Sequence, residues 1–223
     1  MNRTKLVLLL AGLGLALVPA SAPAHHQPGH QGGGGTGQLT MKPSPDPVRF
    51  GRTVTFTGKL TGSNNSGRPV GLFADPFPFD NFAQVANTTT NATGDYTVTH
   101  KPTVNTRYHT RSGNEASDVD TVLVRPAVSL RLSDYTPASG QRVRFSGRVC
   151  PQHDGARLSI QRRFRTGYRT IRRTTLRDIP GSTCSSYRRT IRVYRDGRFR
   201  AVIGSHGDHA TGLSRSRVAN AHN

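Results

Sequence analysis

The chain has 223 residues, with 31 Lys and Arg against 12 Asp and Glu, a formal net charge of +19, two cysteines and no tryptophan. A balance this basic points to anionic partners. No long apolar run follows residue 18 and no stretch keeps a helical period, which argues against a multi-span membrane protein and a helix bundle.

Met1 to Lys5 carry two positive charges, Leu6 to Val18 form a short apolar run, and Ala22-Pro23-Ala24 supplies a small-x-small cleavage site. Together they predict a secretory signal peptide over residues 1–24, cut after Ala24 because a cut after Ala22 would leave proline first. A run of about 13 residues is too short to span a bilayer, so the expected protein is secreted and unanchored. Residues 25–37 hold no large apolar side chain and predict a flexible leader. Its His25, His26 and His30 make at best a weak, unselective metal site. About 185 residues remain, a length that suits two small domains with modest cores.

From residue 38 onward, short runs rich in β-branched and aromatic residues are separated by clusters of Gly, Pro, Asn and Asp. The runs are Leu39 to Met41, Thr53 to Leu60, Val70 to Phe73, Phe82 to Val85, Tyr96 to His100, Thr106 to Thr110 and Val119 to Val124. Seven strands at this spacing suit a sandwich. The pattern then returns about 90 residues later. Gly51-Arg52-Thr53-Val54-Thr55-Phe56-Thr57-Gly58-Lys59-Leu60 is matched by Gly140-Gln141-Arg142-Val143-Arg144-Phe145-Ser146-Gly147-Arg148-Val149, and Tyr96 to Tyr108 by Tyr187 to Phe199. A unit of that length is a whole small β domain, which predicts an all-β chain of two copies, residues 38–125 and 126–223.

The order Gly-x-x-Val-x-Phe-[Ser/Thr]-Gly, then Gly67-Arg68-Pro69-Val70, Thr93-Gly94-Asp95-Tyr96 and the Pro102-Thr103 turn leading to Tyr108, resembles the bacterial immunoglobulin-like repeats of secreted and surface proteins. The resemblance covers roughly residues 38 to 220. It implies two tandem immunoglobulin-like β-sandwiches of the kind that serve as spacers, adhesins or wall-associated accessories, and not an enzyme. The same resemblance makes the second and fifth strands antiparallel neighbours. Cys150 ends the second strand of the later copy and Cys184 begins its fifth, so a disulfide is expected between them; the earlier copy has Thr61 and Thr93 at these places.

The charge is unevenly divided. Residues 126–223 hold twenty Arg and no Lys against five acids, whereas residues 38–125 hold nine Lys or Arg against seven. Strand parity turns the arginines outward: Val143, Phe145 and Val149 alternate with Arg142, Arg144 and Arg148, and Tyr187, Ile191 and Val193 with Arg188 and Arg192. Phe199, Ala201 and Ile203 alternate likewise with Arg198 and Arg200. If the second and fifth strands are neighbours, their arginines form one cationic ladder, while Arg198, Arg200, Arg215 and Arg217 form another on the opposite sheet. Like charges directly opposed destabilise a sheet, and a bound polyanion or bulk counterions must relieve them. Guanidinium forks suit phosphate and carboxylate oxygens, so the expected partner is an anionic wall polymer or acidic polysaccharide. An exported chain without a nucleic-acid-binding motif argues against nucleic acid. A GC-rich genome that writes Arg for Lys is the competing account; it explains the missing lysines but not the near-neutral first copy.

Other candidates are weaker. Gly204-Ser205-His206-Gly207-Asp208-His209 gathers Ser, His and Asp, yet it lacks a nucleophile elbow and is expected to be the turn between the sixth and seventh strands. Asp118 and Asp120 are too few for a calcium cage. Prolines around Phe77, Phe79 and Phe82 are expected to bar that stretch from a central strand and leave a loop that packs on the core or the neighbouring copy, or stacks on a partner. Asn64, Asn87 and Asn91 head N-x-[Ser/Thr] triplets. The sequence therefore predicts a secreted, non-catalytic protein without cofactor or metal, its second copy associating with anionic envelope or matrix polymers. The alternative is a structural or adhesive spacer acting through the Phe77 to Phe82 loop.

Overall fold

The structure is a computed structural model that describes residues 37–222. The expected signal peptide and residues 25–36 of the leader lie outside the described residues. Every described element is a strand. The first copy contributes β1 (Lys42–Ser44), β2 (Val48–Arg49), β3 (Val54–Lys59), β4 (Pro69–Pro76), β5 (Ala83–Thr89), β6 (Asp95–His100), β7 (Thr106–Ser112), β8 (Glu115–Ala116), β9 (Asp120–Val122) and β10 (Val124–Arg125). The second contributes β11 (Ala127–Val128), β12 (Arg131–Leu132), β13 (Gln141–Cys150), β14 (Arg157–Phe164), β15 (Gly167–Thr175), β16 (Ser185–Val193), β17 (Gly197–Ile203), β18 (Gly212–Leu213) and β19 (Arg217–Ala219).

Each copy is a two-sheet sandwich. In the first, β1-β3-β6 faces β5-β4-β7, with β8 and β9 both on β7, and β2 pairs in parallel with β10. In the second, β11 and β12 share one edge of β13, β16 takes the other, and the facing sheet is β15-β14-β17 with β18 and β19 on β17. Alternation drives this arrangement, because side chains of one parity fill the space between the sheets. Val54 and Phe56 on β3 meet Leu72 and Tyr108, with the Phe56 and Tyr108 rings 4.5 Å apart. At the matching places Phe145 meets Phe199 at 5.0 Å. Burial of such a ring contributes roughly 2–3 kcal/mol. The two cores are separate clusters, yet the described residues belong to one compact unit.

The recurring glycines have two distinct causes. Gly51 and Gly140 sit at φ +82° and +81°, left-handed turns that admit no β-carbon cheaply. Gly58 and Gly147 are in strands, opposite Tyr96 and Tyr187 respectively. A β-carbon there would overlap the tyrosine ring and the carbonyl of Thr40 or Ser129. The vacated space lets Tyr96 donate to Thr40 O at 2.5 Å and Tyr187 to Ser129 O at 2.6 Å, tying the segments at Thr40 and Ser129 to the β3–β6 and β13–β16 pairs.

Two strand expectations need correction. The first strand lies at Lys42–Ser44, with Leu39 reduced to a single bridge to Leu60. The aromatic rings are kept out of the sheet as expected, Phe77 and Phe79 in the turn after β4 and Phe82 just before β5, but central β4 runs further than expected, as far as Pro76. Proline is tolerated because β5 has already left, its last pair being Ala74 with Ala83, so no ladder bond is missed on that side. Cys150 and Cys184 form the disulfide at adjacent ends of β13 and β16.

Candidate functional site

The outer face of the β13–β16 sheet carries Arg142, Arg144, Arg148, Arg188 and Arg192, all exposed. Register refines the expected ladder. Arg144 faces Thr190, Arg148 faces Ser186 and Arg188 faces Ser146; only Arg142 and Arg192 stand directly opposed. The other edge of β13 repeats the rule, since Arg131 faces Ser146 while Ser129 and Ser133 flank Arg148 and Arg144. Arg177 continues it by bridging beside Ser186. From Arg144 to Arg148 the result is a checkerboard in which guanidinium and hydroxyl residues alternate along and across the strands; it breaks at the end of the face, where Arg142 both precedes Arg144 on β13 and opposes Arg192. Nearest arginines on diagonal positions are thus about 7–8 Å apart at their origins, far enough to lessen repulsion and close enough to act together on one polymer.

Arg131, Arg144, Arg148, Arg177 and Arg188 line a groove of about 970 Å³ over this face, walled on one side by Ile179 and Pro180. Its single acid, Asp178, accepts a hydrogen bond from Gln152 at 3.1 Å. Among the described residues the pairs within salt-bridge distance are Lys59 with Asp95 and His209 with Asp208, so no arginine there is neutralised by a carboxylate.

The second ladder is only half as expected. Arg198 and Arg200 do point outward, alternating with buried Phe199 and Ala201. The Arg200 guanidinium lies 3.9 Å from the Tyr168 ring centre, with Arg163 at 5.6 Å from the same ring. Arg215 and Arg217 do not join them. The last strand breaks between Leu213 and Arg217, and Arg217 pairs opposite core-facing Phe199. Arg217 Nε instead donates to Leu130 O at 3.1 Å, and both arginines line a separate groove with Arg49 of the first copy.

The turn Gly204 to His209 is the loop between β17 and β18, and it docks on the first copy. Asn105 donates from its backbone N–H to Asp208 O at 2.7 Å and from Nδ2 to Gly207 O at 3.1 Å. Its Oδ1 accepts from the Val124 N–H, and Ala210 N–H donates to Val124 O, both at 2.8 Å. His209, fully buried, donates from Nε2 to Thr103 O at 2.9 Å. Phe77 lies so close to Gly207 that a β-carbon there would strike its ring. The aromatic loop is therefore engaged within the molecule: Phe77 meets Phe79 edge-on at 5.6 Å, Arg107 covers Phe79 at 4.3 Å, and Phe82 abuts His109 at 4.5 Å. Phe77 and Phe82 stay about 40% and 37% exposed.

His153 completes the junction from the segment after Cys150. Its backbone N–H donates to Ser185 Oγ at 2.7 Å and its Nδ1 to Pro151 O at 2.8 Å. Burial pushes its imidazole below the ordinary histidine value, against the opposing pull of the Pro151 carbonyl. His153, Asp208 and His209 bring one ligand atom each within 4.8 Å of one another. Sequence reasoning singled out the His206 to His209 turn but missed His153, Asn105 and Thr103.

No protein-family model matches the chain, and no curated protein matches it. Among solved structures it is similar to the crystal structure of a tetra-tandem repeat in the extending region of a large adhesion protein, at 18% identity and a TM-score of 0.36. That match covers 82% of this chain and 48% of the other, so the chain spans about half the length of that structure.

Proposed function

We propose that the protein is an exported, non-catalytic pair of immunoglobulin-like sandwiches, residues 38–125 and 126–223, whose second copy associates electrostatically with anionic envelope or matrix polymers. The observation that carries the reading is the checkerboard over the 970 Å³ groove: five lining arginines and no carboxylate in ion-pair contact with them. Multivalent contacts of this kind are salt-sensitive and select charge density more than linkage. The N-terminal 24 residues and the Cys150–Cys184 disulfide support an oxidising, extracytoplasmic destination. The rival use of the aromatic loop as an adhesive tip is disfavoured by the seating of Phe77 on Gly207.

The test is elution of the whole secreted chain from a polyphosphate or acidic-polysaccharide matrix in a salt gradient. Arg144→Gln combined with Arg148→Gln and Arg188→Gln is expected to lower the eluting salt clearly, and the same charge removed at Lys42, Arg52 and Lys101 of the first copy to change it little. Equal shifts in the two triple variants would sink the proposal.

A further inference from the structure

The hydrogen bonds around His153, Asp208 and His209 decide which of their atoms are free. His209 Nε2 lies 2.9 Å from the Thr103 carbonyl, an oxygen that can only accept, so Nε2 carries the proton and Nδ1 a lone pair. His153 Nδ1 lies 2.8 Å from the Pro151 carbonyl, so there the lone pair is on Nε2. Both lone-pair nitrogens are buried and have no hydrogen-bond partner, and the His209 side chain is 2% exposed. Asp208 Oδ2 stands 2.9 Å from His209 Nδ1 but off the hydrogen-bonding line, so acceptor faces acceptor. Protonating His209 Nδ1 would answer Asp208 and still leave His153 Nε2 with no donor. A cation among the three atoms answers all of them at once.

We propose that this cluster is a binding site for a divalent transition metal of the zinc class, with His153 Nε2, His209 Nδ1 and an Asp208 carboxylate oxygen as its protein ligands. Two imidazoles and one carboxylate suit zinc, whereas calcium and magnesium take oxygen sets. Tetrahedral ligands on zinc stand about 3.4 Å apart, so the cluster, now within 4.8 Å, closes by side-chain shifts on the order of 1 Å. The Thr103 and Pro151 carbonyls fix the tautomer and ring orientation, the usual outer support of a metal-bound histidine. The fourth position falls to water or to exposed His206, whose ring lies 5.5 Å from that of His153. Because Thr103 belongs to the first copy, occupancy of the site and docking of the two copies reinforce each other.

The experiment uses the whole secreted chain with His25→Gln, His26→Gln and His30→Gln in every arm, so that the leader cannot supply ligands. Zinc alone is titrated against a chromophoric chelator, with His153→Gln and Asp208→Asn as variants; His209 is left in place because it holds the junction. The expected result is one equivalent of zinc, unaffected by excess calcium or magnesium, with affinity falling at least about tenfold in each variant. Anomalous scattering at the zinc edge, from crystals of the parent grown with zinc, provides a readout independent of the variants and should place the ion between His153 and His209. Substoichiometric binding at micromolar zinc, affinity indifferent to both substitutions, or an anomalous peak elsewhere overturns the proposal.

Discussion

Tyr187 stands directly across the strand pair from Gly147, and its hydroxyl reaches past the missing side chain to the Ser129 carbonyl at 2.6 Å. Tyr187→Phe deletes that bond and should cost about 1 kcal/mol in denaturant unfolding. Gly147→Ala should cost more, about 1–3 kcal/mol or beyond, because the new methyl meets backbone that cannot yield. If Gly147→Ala proves neutral, the repeated glycine has some other cause.

The disulfide closes a span of 34 residues, for which chain entropy gives a stabilisation of about 3 kcal/mol. Cys150→Ser with Cys184→Ser, which leaves the Asn105 junction intact, should lower the midpoint of the chain's single unfolding transition. Circular dichroism melts with and without reductant check this. An unchanged midpoint would contradict it.

Arg142 and Arg192 are the one directly opposed arginine pair on the β13–β16 face, and Arg192 leans away to donate to Gly140 O at 3.0 Å. Arg142→Gln should therefore stabilise the protein at low salt, by ~0.2–1 kcal/mol, and the gain should fade as salt screens the pair. Arg148→Gln, flanked by serines, should bring a smaller gain. The comparison needs only denaturant midpoints at two ionic strengths.

His100 bonds the Tyr108 hydroxyl at 2.9 Å, and burial holds its imidazole below the ordinary histidine value. The unfolded chain then takes up the proton first as pH falls below about 6.5, so stability drops from there down to the lowered folded value. His100→Gln should shrink that acid loss. Midpoints measured at pH 7.5 and pH 5 on parent and variant decide the matter, and an identical drop in both would count against it.

Asn105 serves both copies at once, donating to Gly207 and accepting from Val124. Asn105→Ala leaves a buried N–H and a carbonyl unanswered, a loss of about 1–3 kcal/mol. Calorimetry should show a single transition in the parent splitting into two in the variant. A variant that still melts as one unit would show that the junction is held elsewhere.

The features most legible in the sequence were those written as periodicity. Val143 and Phe145 alternating with Arg142 and Arg144 announced both the core side and the charged side of β13, and the copied tyrosines and glycines announced the duplication. What escaped was set by breaks and by distance. An unbroken strand through Ser214 puts Arg215 and Arg217 beside Arg198 and Arg200, but the chain leaves the ladder there and the parity is lost. That β4 reaches Pro76 is not legible because sequence does not say where the neighbouring strand stops. The partnership of His209 with Thr103 joins residues 106 apart through loops, and loops carry no period that could point to it.

Serine and threonine between the arginines make the β13–β16 face a ruler as well as a magnet. If the face binds a polyanion as proposed, the regular two-residue alternation of Ser186, Arg188, Thr190 and Arg192 on β16 would favour a polymer whose own charge spacing keeps step with it. A ligand of equal total charge but different repeat length should then be held less firmly, the discrimination coming from arithmetic along the strand within the groove.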